Sequence, residues 1–201
     1  MDHYDVVPDI MTLAKGIASS YIPFGAVAVS AEINAPFEAG ETHFVHGFTN
    51  AGHPLGCAAG CELIDIIHDE NLLENCRRQS EVLFSYREKL LAHPTVRDVR
   101  GWGLMMVLEL IKDKESLEFF DDSLQAEKLY SAITLKHGLV MYGSLYGPRR
   151  QAAFKRGIPT WLSPPLTITT DEMHDMVGRL DNALTEWESI WPVYTSDPAD
   201  E

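Results

Sequence analysis

Ile10-Met11-Thr12-Leu13-Ala14-Lys15-Gly16-Ile17 is followed at short range by Pro23-Phe24-Gly25-Ala26-Val27-Ala28-Val29-Ser30, so one lysine sits in an otherwise apolar neighbourhood. Small and β-branched side chains from Gly25 to Ser30 predict a buried strand. Apolar surroundings disfavour an ammonium ion, and a neutral amine is able to attack an aldehyde. Taken by itself, a lysine closing a strand is more often a solvated residue.

Downstream of the lysine the sequence is helical. Pro54 suits a first helical turn, where its missing amide proton is not needed. Leu55, Ala58, Ala59, Leu63 and Ile66 continue an apolar face, and the small residues Gly56, Ala58, Ala59 and Gly60 permit close packing against a neighbour. Asn71 or Asp69 caps the next helix, whose stripe Leu72, Cys76, Gln79, Leu83, Tyr86 and Leu90 runs to about Ala92 and stops at Pro94.

The texture changes near His93. Val96 to Val99 and Leu104 to Ile111 read as strands joined at Gly101-Trp102-Gly103, and an acidic linker from Asp113 to Asp122 follows. Ser123 to Lys136 reads as a helix with Leu124, Leu129 and Ile133 on its apolar side, ended by a glycine cap at Gly138. Strands are expected at Leu139 to Tyr142 and Thr160 to Leu162. Thr169 and Glu172 have capping-box spacing ahead of a last helix striped by Met173, Met176, Leu180, Leu184, Trp187 and Trp191.

Two domains are expected from this pattern. Residues 1–92 lack enough strands to close a sheet, so preceding sequence is expected to complete them, and residues 93–201 form a small α+β layer with helices on one side.

The 201 residues hold 30 Asp and Glu against 16 Lys and Arg, a formal charge of -14, which repels nucleic acid and anionic membranes at long range. No apolar run approaches the roughly 20 residues that span a bilayer. Cys57, Cys61 and Cys76 lack Cys-x-x-Cys spacing and read as small buried thiols of a reducing compartment, so a cytoplasmic protein is expected. His46 and His53, seven apart, carry no zinc signature and read as structural histidines; no metal site is expected.

Four separated motifs then occur in order: Pro8-Asp9-Ile10 through Ala14-Lys15-Gly16 and Pro23-x-Gly25-Ala26; His46-Gly47-Phe48-Thr49-x-x-Gly52-His53-Pro54; Arg100-Gly101-x-Gly103-Leu104 with Glu109; and Ser163-Pro164-Pro165-Leu166-Thr167-Ile168-Thr169. Together they closely resemble the class-III aminotransferases, the group of fold-type-I pyridoxal-phosphate enzymes that includes omega-amino-acid transaminases.

The resemblance implies an α/β fold-type-I transferase, present as a remnant of its large domain and its small C-terminal domain. It implies pyridoxal 5'-phosphate as cofactor, an amine or amino-acid donor, a keto-acid acceptor, and a homodimer with the active site at the interface. Lys15 would hold the cofactor covalently and shuttle protons. Thr49 would give its hydroxyl to the phosphate across the dimer interface; read without the resemblance, it is a turn residue.

Departures from the family accompany the likeness. Tyr142 and Trp161 stand near positions where arginines commonly bind the substrate carboxylate, and neither forms a bidentate pair with one. Arg149, Arg150 and Arg156, in an apparent loop insertion from Gly143 to Gly157, are the candidates to substitute. The segment bearing the aspartate that the family sets on the pyridine nitrogen has no counterpart here, and Asp5 and Asp9 are too near Lys15 in sequence to be equated with it. Three readings follow: transamination by a longer parent, decarboxylation or amino-group migration on the same fold, or an inactive isolated fragment.

Overall fold

The computed structural model describes residues 4–141 and 157–194, with side chains as far as Trp191. Two compact units result, Met1–Leu72 and Leu73–Glu201.

In the first unit, β1 (Ile10–Ala14) and β2 (Gly25–Val29) form an antiparallel pair with Ala14 opposite Gly25. A single 3-10 turn, Lys15–Ala18, follows β1 directly. Helix α1 (Ala31–Glu38) is capped by Ser30, whose hydroxyl oxygen accepts from the Ile33 amide at 3.5 Å. Both strands are largely exposed, Val27 at 63% and Ile10 at 58%, so β2 is present as expected but without the burial expected of it.

Helix α2 (Pro54–Asp69) begins at the proline, yet it buries a different face from the one its large apolar residues suggest. Gly56 and Gly60 are buried, whereas Leu55 and Ile66 are exposed. The cause is the Phe24 ring: a Cβ on Gly56 or Gly60 would stand 2.9 or 2.8 Å from it. The small residues are there for close approach. Asn71 (φ +51°) takes the left-handed position just past the end of α2, and does not cap the following helix from an extended conformation.

In the second unit α3 (Leu72–Ser85) and α4 (Arg87–Leu91) divide at Tyr86 what reads in sequence as one helix. Leu83 and Leu90 are fully buried in the core that also holds Val96, Val99, Leu180 and Leu184, so the packing boundary lies at residue 72, earlier than the change of texture at His93. Gln79, the one polar member of the α3 stripe, is 5% exposed and donates to Thr170 Oγ1 at 3.0 Å.

Strands β3 (Val96–Trp102), β4 (Met105–Leu110) and β5 (Ile158–Leu162) form an antiparallel sheet in the order β3-β4-β5. Period-two alternation buries Met106, Leu108 and Leu110 on β4, and Ile158, Thr160 and Leu162 on β5. A bulge between Val96 and Asp98 lets Val96 and Val99, three residues apart, share that buried face.

Helices α5 (Ser123–Lys136) and α6 (Thr170–Tyr194) pack on each other over this core. Asp122 caps α5 by accepting from the Gln125 amide at 3.0 Å, and Gly138 (φ +78°) lies just past its end. Its buried side is Ala126, Tyr130, Ile133 and Thr134; Leu124 and Leu129 are only half-buried. Residues 139–141 form no strand.

The capping box of α6 is complete. The Thr169 amide donates to Glu172 Oε2 at 2.8 Å, and the Glu172 amide returns to Thr169 Oγ1 at 3.3 Å. All six residues of the expected stripe are buried or half-buried. Trp187, at 0% exposure, is ringed by Phe120 and Tyr130, each at 5.4 Å between centroids. Burial also pushes the Tyr130 phenol well above its ordinary pKa.

Candidate active site

Lys15 sits where β1 gives way to the 3-10 turn, at φ +58°, a left-handed conformation unusual for a side chain with a Cβ. Ser19 (φ +46°) and Ser20 (φ +62°) repeat it, so the chain reverses sharply after the lysine and returns as β2. Ala18, 2% exposed, anchors the turn, which packs against α2. Lys15 itself is exposed, so the desolvation that the apolar sequence suggests is not provided by the described residues of this chain.

Thr49 is exposed at the start of the turn 49–52, with the Ala51 amide bonded to the Phe48 carbonyl at 2.9 Å and Gly52 at φ +65°. One residue later α2 begins. A depression of about 310 Å³ lies along this loop, lined by Pro23, Phe24, Phe48, Asn50 and His53 among others. Thr49 thus occupies a turn, as its neighbours in sequence suggest, and is exposed.

Contiguous contacts relate the two segments. Ala14, next to Lys15, pairs with Gly25; Phe24, next to Gly25, is wedged on Gly56 and Gly60; and those glycines lie in the first two turns of α2, just after Thr49. Nothing in hydrophobic periodicity announces this wedge.

Asp9 precedes β1 at its far end, so with about 3.3 Å per strand residue it stands roughly 20 Å from Lys15. That is too far to meet the pyridine nitrogen of a cofactor held on Lys15. Of the groups the resemblance names, Lys15 and Thr49 are both exposed at turns, while Asp9 stands at the opposite end of β1 from the lysine.

In the second unit Glu109 of β4 accepts the Gly157 amide at 3.2 Å and approaches Arg100 at 3.5 Å and Arg97 at 3.8 Å. Arg100 also donates to Asp98. Trp161 lies opposite Val107 on the sheet face away from the core. Asn75 of α3 donates to the Leu166 and Ile168 carbonyls at 2.7 and 3.0 Å, fixing the segment after Pro164-Pro165. Tyr142, Arg149, Arg150 and Arg156 lie outside the described residues. Cys57 and Cys61 are exposed and Cys76 is half-buried, so the buried-thiol reading does not describe this chain, whose α2 buries only its glycine face.

The sequence signature of the class-III aminotransferase family matches residues 1–184. Among curated proteins, "Probable aminotransferase Rv3329" of Mycobacterium tuberculosis is 41% identical over 90% of this chain and 37% of its own length. A diaminobutyrate–2-oxoglutarate transaminase of Halomonas elongata is 34% identical over 92% and 38%. Among solved structures, an (S)-enantioselective omega-transaminase from Thermomicrobium roseum superposes with a TM-score of 0.78 at 35% identity, over 93% of this chain and 39% of that one. An aminotransferase from Vibrio fluvialis, in its PMP-bound form, superposes at 0.77 and 31% identity, over 94% and 40%.

The chain thus spans about two fifths of the length of these relatives, and over that span it has the fold of a fold-type-I pyridoxal-phosphate transferase. Pyridoxal phosphate is the cofactor of the family, and the chain belongs to the class-III aminotransferases.

Proposed function

We propose that this chain serves as the lysine-bearing part of an enzyme that moves an amino group between an amine or amino acid and a keto acid. The observation that carries the reading is the placement of Lys15, exposed on a left-handed turn at a strand end, within a family match covering residues 1–184. Pyridoxal phosphate, when bound, supplies an electron sink for the carbon that loses its proton.

Lys15 would hold the cofactor through its Nζ and, once released, take the proton from the substrate carbon and return it on the other side of the exchange. The Thr49 hydroxyl would donate to the phosphate, at the neighbouring active site of a homodimer. The turn 49–52 favours that role by leaving the hydroxyl exposed. Three unpaired thiols suit a cytoplasmic setting.

The 201 residues alone are proposed to be inactive. An amine and one hydroxyl do not orient or activate a pyridine ring, and loss of even one directed donor costs roughly a hundredfold in rate. Purified chain should therefore convert no amine donor in a single turnover with added pyridoxal phosphate, whereas a longer parent should do so and lose it on Lys15→Ala. Lys15-dependent turnover by the 201-residue chain would overturn its inactivity. Carbon dioxide release or an isomeric amine from the parent, in place of a keto product, would point to decarboxylation or amino-group migration.

A further inference from the structure

His93 follows the end of α4, and both of its ring nitrogens are engaged by α6. Nδ1 faces Glu188 Oε2 at 2.8 Å and Nε2 faces Asp181 Oδ1 at 3.2 Å, with the imidazole only 10% exposed. Glu188 Oε1 accepts both the amide and the hydroxyl of Thr95, at 3.1 and 2.6 Å. The other charges around it are Lys89 of α4, 2.9 Å from Asp181, and Lys114 after β4, which donates to the carbonyls of His93, at 2.8 Å, and Leu91.

Ionised carboxylates only accept, so both contacts hold together only if both ring nitrogens carry hydrogen, that is, if the imidazole is charged. A neutral ring would turn one lone pair toward a carboxylate. Because the two nitrogens point at different carboxylates, the three side chains do not converge on one ion. Among the described residues no group of three or more His, Cys, Asp or Glu side chains is placed to hold a metal.

We propose that His93 is a proton-operated latch between the α4–β3 junction and α6, closed while the imidazole is charged and half-released when it is neutral. Residues 93–95 join α4 to the sheet, and α6 covers the core, so the latch governs how firmly the second unit is closed on itself.

The electrostatics agree with the geometry from both sides. The hydrogen bond to Glu188 holds the imidazole above its ordinary pKa, against the opposing effect of burial. Burial acts to raise Asp181 and Glu188, yet the contacts with Lys89, His93 and Thr95 keep both below the ordinary carboxylate range. A raised histidine contributes stability that is complete below its unfolded value of about 6.5 and is lost as pH rises through the folded value. The lowered carboxylates contribute stability present above about 4.5 and lost as pH falls through their folded values. The latch is therefore fully closed between roughly pH 4.5 and 6.5 and opens on the alkaline side.

The test follows the His93 ring by NMR in the 201-residue chain from pH 5 to 9, beside urea unfolding of the same chain and of His93→Gln. The imidazole midpoint should lie above 6.5. Each unit of elevation corresponds to a tenfold loss in the folded-to-unfolded ratio between the acid and alkaline ends. His93→Gln should lose that part of the pH dependence, and Glu188→Gln should lower the midpoint. The other histidines, His137 beside Glu186 and His174 beside Tyr86 among them, are the same in both proteins, so the difference isolates His93. A midpoint at or below 6.5, or an unchanged pH slope in His93→Gln, overturns the latch. Should His93→Gln fail to fold, the titration of the unsubstituted chain still decides.

Discussion

Replacing Gly101 by alanine should be among the most damaging single-methyl changes in this chain. Gly101 sits on β3 opposite Met106, at φ +150°, and a Cβ there would stand 1.9 Å from the Met105 carbonyl oxygen and 3.0 Å from the Met106 Cα. Real Cβ atoms do not approach below 3.0 Å, and the obstacle is backbone, so the β3–β4 pair must move by about 1 Å. Forcing alanine into that region costs about 1–3 kcal/mol, and the overpacking a further 1–3 kcal/mol. At about 3–5 °C per kcal/mol for a domain of this size, the melting temperature should fall by at least ~6 °C.

Gly103, two residues on, provides the internal control. It is also left-handed, at φ +58°, but a Cβ would meet only Cys76 Sγ at an ordinary 3.5 Å. Gly103→Ala should cost about 1 kcal/mol, and Gly103→Asn less, because asparagine tolerates that conformation. Thermal and urea unfolding followed by tryptophan fluorescence would rank the three. If Gly101→Ala proves no more destabilising than Gly103→Ala, backbone crowding at the hairpin is not what requires glycine there.

Trp187→Ala, which empties a fully buried site between Phe120 and Tyr130, should cost about 3–5 kcal/mol in urea, and a loss below 1 kcal/mol would contradict the core described. Thr169→Ala should cost about 1 kcal/mol by opening the capping box while Thr169→Ser retains most of it; equal losses would show that the hydroxyl is not the relevant group. Gly60→Ala should change sign with its neighbour: about 1–3 kcal/mol of crowding against Phe24 in the native chain, partly offset by helix propensity, but a gain of about 0.5–1 kcal/mol once Phe24 is alanine. A double-mutant cycle without coupling between the two would remove the wedge as the reason for the glycine.

Where one face of an element meets one core, periodicity in the sequence was sufficient to find it. The stripe of α6 and the capping box at Thr169 appear as read, while the helix expected to reach Ala92 divides at Tyr86, β3 runs on through Trp102, and the strand ending at Leu162 begins at Ile158. On α2 periodicity put Leu55 and Ile66 on the packed face, and both are exposed; the close packing that the small residues suggest is made by Gly56 and Gly60 alone against the Phe24 ring, a partner no local pattern names. Polar clusters were illegible for a different reason: Asn75 with Leu166 and His93 with Glu188 are joined across 91 and 95 residues, and neither side carries a local pattern. Lys15 and Thr49 were legible as members of motifs, but the left-handed turn that presents the lysine follows from the reversal between β1 and β2.

The long reach of α6 has a kinetic consequence. The β3–β4 hairpin closes between near neighbours, and can form as soon as it is synthesised. Gln79, Tyr86, His93 and Thr95 all wait for partners on or beside α6, 88 to 95 residues later. Contacts of such separation slow folding, and they leave the apolar faces of α3, α4 and the sheet uncovered until the last helix arrives. During synthesis this unit should remain an open, chaperone-accessible intermediate until α6 has left the ribosome, and should close late and in a single step.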